Sequence, residues 1–315
     1  MEKYSRQVSN QAWVEQITSG DPRLEKVAQT AVTEFTRTKM REEGFWGRIL
    51  PQLKVENSEL DRQHDTDKNV IVIDMEPDSP AAISIPYGTL PNNRYLRGRR
   101  YRVMFDRIVS PRFIKDVSEL RNYHMDVRQV VSDNAVKDML AEEDGKPIQV
   151  INMALGAPNS IVPETGVAQN VNFGPINRVN WNESLKIMPR SIGNLRVKTI
   201  LINHVTAIDL QKWGRAEMGG DLSEKIAREG LVETTLFGVD LLITIKRDLV
   251  PDGVAYHFAE PKYLGKNFVL EDTTLAVERK FYIVEFFAYK ECGSTIANIA
   301  AIARANFIGL IEGSY

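Results

Sequence analysis

The stretch VSELRNYHMDVRQVVSDNAVKDMLAEEDGKPIQVINMAL, residues 117–155, decides how the rest of the chain is read. Leu120, Tyr123, Val127, Val130, Val131, Ala135, Met139 and Leu140 recur at the spacing of one helical face. Asp144-Gly145-Lys146-Pro147 interrupts the period, which resumes at Ile148, Ile151 and Leu155 and stops at Gly156. Two arrangements fit: two helices meeting at a turn, or one long helix kinked at Pro147. The acids Glu142-Glu143-Asp144 read as a solvated face rather than as paired groups for general acid–base work.

Upstream, Asp21-Pro22 opens a helix to about Glu42, with an N-cap residue before a proline whose missing N–H costs nothing there, and Gly44 as the stop. Its apolar stripe is Leu24, Val27, Ala28, Ala31, Val32 and Phe35, with Arg23, Lys26, Thr33 and Arg37 opposite. Trp46, Ile49, Leu50 and Leu53 then form an apolar patch broken by Pro51. Residues 56–68 are nearly all polar. Val70 to Ile73 is a β-branched run, Ile83 and Ile85 alternate with small residues, and Pro77, Pro80, Pro86 and Pro91 suit edge strands of a long exposed hairpin. So little apolar surface predicts an arm that must lie on something else.

Six arginines, Arg94, Arg97, Arg99, Arg100, Arg102 and Arg107, follow within fourteen residues. With Tyr95, Tyr101 and Phe105 interleaved they could form a nucleic-acid surface. Pairing with Glu56, Glu59, Asp61, Asp65 and Asp67, within or between chains, is the preferred reading, because 40 Lys+Arg against 42 Asp+Glu leave no basic excess.

Downstream of the long helix, 157–180 reads as loop and Asn182 to Ile192 as a short helix bent near Pro189. Thr199 to Asn203 is a buried strand, Thr206 to Trp213 begins a helix, and Met218 to Asp221 is a flexible loop. Leu241 to Lys246 is a strand entered through Phe237-Gly238-Val239. Pro251-Asp252-Gly253 turns into a strand over Val254 to Phe258. Phe281 to Tyr289 is a long strand, and Ser294 or Thr295 caps a final helix whose face is Ile296, Ile299, Ala300, Ala303 and Phe307.

The 315 residues can bury a core without staples. Cys292 is the only cysteine, which excludes an intrachain disulfide and a multi-cysteine zinc site, and its acidic neighbour Glu291 should raise the thiol pKa. No stretch approaches the roughly 18 apolar residues of a membrane span. Phosphate-loop, dinucleotide, zincin and nucleophile-elbow motifs are absent. His64-Asp65 with Asp67 has metal-ligand chemistry, but an exposed polar loop tip explains it as well. The sequence points to no cofactor, metal or catalytic residue.

An N-terminal arm with a helix, a proline-punctuated hairpin, a long helix, a compact α/β unit, a return strand and a terminal helix follow in that order. Within it stand Ile202-Asn203-His204 before Thr206 to Leu210, Leu236-Phe237-Gly238-Val239, Val250-Pro251-Asp252-Gly253-Val254-Ala255, and Phe281 to Tyr289 with Thr295-Ile296-Ala297-Asn298-Ile299-Ala300. This order resembles the major capsid proteins of tailed double-stranded DNA bacteriophages, the Hong Kong 97-type fold.

The resemblance implies an α+β chain with residues 1–54 as N-terminal arm and 55–109 as extended loop. The peripheral domain would take 110–165 with 260–293, Val117 to Leu155 being its spine helix, and the axial domain 166–259 with 294–315. It implies a structural subunit assembling as hexamers and pentamers into an icosahedral head, in the virion and assembled in the host cytoplasm. The head would enclose double-stranded DNA touched weakly and without sequence preference. Separate scaffolding, portal and decoration proteins would be its partners, with no membrane. Arg97, Arg99, Arg100, Arg102, Glu56, Glu59, Asp61, Phe35 and Trp46 become candidate intersubunit contacts. The rival readings are an encapsulin-like cargo compartment of the same fold and an α/β enzyme with unrecognised catalytic groups.

Overall fold

The computed structural model describes residues 12–13, 15–17, 19, 21–61, 67–75, 84–90, 99–122, 127–213 and 235–309. The expected loop at 218–221 lies outside them.

Helix α1 is Pro22–Glu43, capped by the Asp21 carboxylate, which accepts from the Arg23 N–H at 2.9 Å, and closed by the Gly44 N–H on the Met40 carbonyl. Short α2, Trp46–Ile49, leads into β1, Gln52–Lys54. Strands β2, Val70–Met75, and β3, Arg99–Met104, form the arm hairpin. Then come β4, Asp106–Val109, β5, Phe113–Asp116, α3, Val117–Asn122, and α4, Val127–Leu155. The α4 helix runs unbroken through Gly145 and Pro147, so of the two arrangements the single long helix is the one found.

The segment read as loop over 157–180 instead holds β6, Ile161–Val162, β7, Val167–Ala168, β8, Asn170–Phe173, and the start of α5, Arg178–Ser184. Helix α6, Ile187–Arg190, follows. Strand β9, Thr199–Asn203, passes into α7, His204–Gln211, through the Asn203 side chain, which accepts from the Thr206 N–H at 2.7 Å. Strands β10, Thr235–Leu236, β11, Val239–Thr244, and β12, Val254–Phe258, are followed by α8, Pro261–Leu264. The chain ends in a long hairpin of β13, Gly265–Lys280, and β14, Ile283–Ile296, and in β15, Ile302–Phe307.

Two sheets result. One has β1, β13, β14 and β4 in order, with β5 beside β14 end-on to β4. The other has the order β10-β11-β9-β12-β15-β8. The expected terminal helix is therefore a strand. Asn298 caps only a single tight turn, after which β15 enters a slot between antiparallel β12 and parallel β8. Ile302, Ala303, Ala305 and Phe307 are all buried there, and a ladder of five residues on β12 and four on β8 outweighs the helical preference of alanine. Ser294 and Thr295 lie inside β14.

Each sheet has its own core. Val131, Ala135, Val136, Met139 and Leu140 of α4 pack with α1 and with Leu275, Val284, Phe286 and Ala288. Ile148, Ile151 and Leu155 pack with Phe45 to Leu50 and the six-stranded sheet. Helix α4 is thus one beam carrying both cores. The buried side of α1 is Ala28, Val32, Thr33, Thr36 and Met40, whereas Leu24, Val27 and Ala31 are exposed. The stripe read from the sequence was therefore rotated: Thr33 and Arg37, expected outside, face the body.

His257 is fully buried on β12, with Nε2 3.2 Å from the Ser184 hydroxyl, which itself donates to the Trp181 carbonyl. Burial pushes its pKa down from 6.5 to about 3, so the ring is neutral and Nε2–H donates to Ser184. A depressed folded-state pKa contributes stability in full above about pH 6.5 and loses it as pH falls toward 3, by about 1.4 kcal/mol per unit. Denaturation midpoints at pH 7 and pH 4.5 should fall further for the wild type than for His257→Gln, which cannot titrate. Parallel losses in the two proteins would refute this account of the core.

Candidate functional site

The arm hairpin is registered from Val70 opposite Met104 to Met75 opposite Arg99. Side chains alternate, so Ile71, Ile73, Tyr101 and Val103 share one face. That face packs with Val55, Phe105 and Phe268 in a small cluster of its own at the arm's root. The opposite face carries Arg102 across from Val72, and Arg100 across from Asp74. Residues 84–90 are exposed throughout, with Tyr87 and Leu90 almost wholly in solvent. A Cβ at Gly293 would come within 2.7 Å of the Met104 carbonyl oxygen, so the root can lie against β14 only because that residue is glycine.

The candidate contacts distribute as follows. Arg100 binds Asp74 at 2.6 Å and Arg107 binds Glu291, both partners in the same chain. Arg102 is exposed; Arg97 and the side chain of Arg99 lie outside the described residues. Glu59 closes a local turn by accepting from the Glu56 N–H at 2.9 Å, and the Asp61 N–H donates to the Val70 carbonyl. The expected pairing of the arginines with Glu56 and Glu59 is not made among the described residues. Lys68 binds Asp106 at 2.8 Å, and that hydrogen bond holds the Asp106 carboxyl below the usual carboxylate range. Phe35 sits in α1, its side chain outside the described residues. Trp46 is only 1% exposed, edge-on to Phe258 with Nε1 donating to Ser294, so it is a core residue with no surface left for a neighbour.

The acids of α4 depart furthest from their sequence reading. Glu142 does face solvent and pairs with Lys146 at 3.3 Å. Glu143 and Asp144 are buried. The buried Lys290 ammonium lies 2.8 and 3.0 Å from the two Glu143 oxygens, and Gln52 donates to the same carboxylate at 2.7 Å. Asp144 accepts from Lys246 at 2.6 Å and from the backbone N–H groups of Trp46, 2.9 Å, and Phe45, 3.4 Å. The signal was present: Glu143 and Asp144 follow Met139 and Leu140 by one turn and precede Pro147 and Ile148 by one turn, on the buried stripe itself.

Helix α1 covers the outer edge of β13 with side chains one turn apart. Gln29 donates to the Val277 carbonyl at 3.0 Å, Thr33 accepts from the Leu275 N–H at 3.2 Å, and Arg37 donates to the Thr273 carbonyl at 2.7 Å. Four helical residues rise about 6 Å and two strand residues about 6.7 Å, so the two repeats keep step over this length.

Cys292 is held up to about 11, first by burial and then by the Glu143 charge, which leaves an unreactive thiol. His64 and Asp65 lie outside the described residues. Among the described residues no three His, Cys, Asp or Glu side chains converge as metal ligands would, and no helix is long and apolar enough to cross a membrane.

No protein-family description and no curated protein matches the sequence. Solved structures do match over most of its length. The capsid of a native GTA particle aligns at a TM-score of 0.57 and 13% identity, covering 83% of this chain and 89% of that one. The asymmetric unit of the bacteriophage PhiM1 mature capsid aligns at 0.56 and 10%, covering 85% and 88%. A virus-like particle from Pyrococcus furiosus aligns at 0.50 and 13%, covering 88% and 98%. At such identities the likeness is one of fold: the chain has the Hong Kong 97-type capsid fold.

The buried pair gives a direct test of the joint. Removing one partner strands a buried charge at a cost of about 3–5 kcal/mol, whereas replacing both with apolar groups is close to neutral. In urea denaturation Lys290→Met should therefore cost far more than the double change Glu143→Leu with Lys290→Met. Additive losses would mean the pair is not coupled.

Proposed function

We propose that this protein is the structural subunit of a closed shell, a capsid protein that self-assembles into an icosahedral particle. The observation that carries the reading is the arm. On a fold shared over most of the chain with capsid proteins, a hairpin leaves the body with a small apolar cluster at its root and a fully exposed stretch beyond. Ordering such a segment costs roughly 1–2 kcal/mol per residue in backbone entropy, which a single chain does not recover and a neighbour does.

Within that reading we favour a phage-type head, built of hexamers and pentamers, around double-stranded DNA. Support comes from the phage capsids among the structural matches, which align at TM-scores of 0.50 to 0.56. The domain division proposed for it makes residues 55–109 the extended loop, α4 the spine of the peripheral domain, and the six-stranded sheet the axial domain. The rival cargo compartment would form closed shells that contain protein and no genome. Nucleic-acid content of purified particles separates the two.

Electron microscopy of the expressed chain, alone and with scaffold supplied, should show closed particles. Deleting Glu56 to Tyr95 should leave a folded monomer that forms none; normal shells from that deletion would overturn the reading.

A second test concerns DNA. A subunit of net charge −2 gains little from phosphate contacts. The unassembled chain should bind duplex DNA weakly, on the order of 10⁻⁴ to 10⁻⁶ M at physiological salt and without sequence preference. Tight, selective binding that persists at high salt would make the arginine cluster a recognition surface instead.

A further inference from the structure

The turn between β13 and β14 has two residues, Phe281 and Tyr282, since Lys280 pairs with Ile283. Turns this short favour asparagine and glycine because their backbone must enter the left-handed region. Phe281 does so with φ of 56°, an uncommon conformation for a bulky residue. Its ring is 90% exposed and that of Tyr282 67%. The turn is nevertheless held in place. The Val117 N–H donates to the Tyr282 carbonyl at 2.9 Å, and Arg279 donates to the Phe281 carbonyl at 3.2 Å. Neither the strained backbone nor the exposed rings serve the isolated chain, in which glycine at the first position would close the same turn with less strain.

At the far end of the same hairpin, a groove of about 360 Å³ opens between α4 and the root of the arm. Met104, Pro147, Val150, Met153 and Ile296 supply its apolar lining, and Met153 is 80% exposed. Asp106 at the rim is matched by Lys68 and Lys146, so the mouth carries no strong charge. An apolar cavity of roughly 150 Å³ accepts one benzene-sized ring, so this groove has room for two. Thioethers such as those of Met104 and Met153 suit aromatic edges. A chain cannot fill its own groove: the strand from Ile283 to Gly293, at about 3.3 Å per residue, separates the two by on the order of 33 Å.

We infer that the Phe281-Tyr282 knob of one subunit seats in the α4 groove of another copy of the same chain. The inference rests on the shell reading. Each copy carries one knob and one groove, so the contact is heterologous and generates rings or lattices rather than isolated pairs. Two aromatic side chains and the surface they cover bury on the order of 600 Å², about half of what a stable free dimer needs. Such a contact holds only where each subunit makes it twice among many others, which is the situation of a shell and not of a soluble partner.

The experiment uses the full chain. Phe281→Ser with Tyr282→Ser, and separately Met153→Arg, should leave the monomer's thermal midpoint within about 3 °C, these side chains being exposed. Each should raise the protein concentration needed for assembly about tenfold or more, and combining them should add little, since both remove one contact. Because Cys292 lines the same groove, cross-linking is done with Cys292→Ala present. Particles carrying F281C and M153C should then give disulfide-linked chains on oxidation. Unchanged assembly of both variants, or absence of that cross-link in intact particles, overturns the inference and leaves the shell reading standing. A cross-link from Y87C to M153C in place of the F281C link would assign the groove to the arm and also overturn it. A wild-type chain that forms no particle under any condition overturns both.

Discussion

Two adjacent carboxylates on one helical turn hold this molecule's two cores to a single beam. Glu143 points to Lys290 on the long hairpin; Asp144 points to Lys246 beside the six-stranded sheet and to the chain entering α2. Taking Glu143, Asp144 and Lys290 out of water, and Lys246 part of the way, costs several kcal/mol per buried ion, so the pairs add little net stability. What they fix is position. Sliding α4 by one turn against either sheet would bury an unpaired carboxylate, whereas an apolar joint of the same volume would tolerate the shift. Because Val131 to Leu140 serve one core and Ile148 to Leu155 the other, the register set at 143–144 determines how the two sheets face each other.

The same economy of pairing governs the edges. Strand β13 pairs with β1 only at residues 267–269, which leaves the rest of its outer edge to be covered. Unpaired edges recruit foreign strands. Gln29, Thr33 and Arg37 satisfy three of the edge's backbone groups while α1 buries its apolar side on the first core. Leu24, Val27 and Ala31 are left on the outer side of the same helix. Helix, knob and arm tip are thus among the apolar features the described chain leaves uncovered, and all three belong to elements that project from the sheets or lie over them.

What could be read in the sequence follows from where each signal lives. Strands β9 and β12 matched their expected bounds because β-branched and aromatic runs end at residues with a turn chemistry, Asn203 and Pro251-Asp252-Gly253. Strand β13 escaped because its pairing slips between Val269, Glu271 and Thr274, which breaks the alternation that marks a strand. Strand β15 was mistaken for a helix because its alternation covers only Ala303 to Phe307, while Ile296, Ile299, Ala300, Ala303 and Phe307 fall at a spacing that mimics a helical stripe. The charge joint was half legible. The place of Glu143 and Asp144 on the buried stripe could be counted, but Lys290 and Lys246 stand more than a hundred residues away, and no local rule couples them. Of the proposed contact residues, Trp46 falls instead in the core, because its partners, Phe258 and Ser294, come from the far end of the chain.

The charge pattern of the arm bears on what it can lie on. Arg100 and Arg107 already have carboxylate partners in their own chain, Asp74 and Glu291, and Lys68 has Asp106. Exposed pairs of this kind contribute about 0–1 kcal/mol, so they are a weak source of stability. Their consequence is electrostatic cancellation. A hairpin built to track phosphate would keep its arginines unmatched, because affinity for nucleic acid comes from releasing counterions around free cations. Repeated in every subunit of a closed shell, unmatched arginines would instead meet their own kind at each contact between copies, and like charges across an interface cost several kcal/mol. Where a cation of the hairpin is paired within the chain, as Arg100 is with Asp74, that part can be laid against a neighbour of identical charge without that repulsion, leaving the exposed apolar residues to supply the attraction.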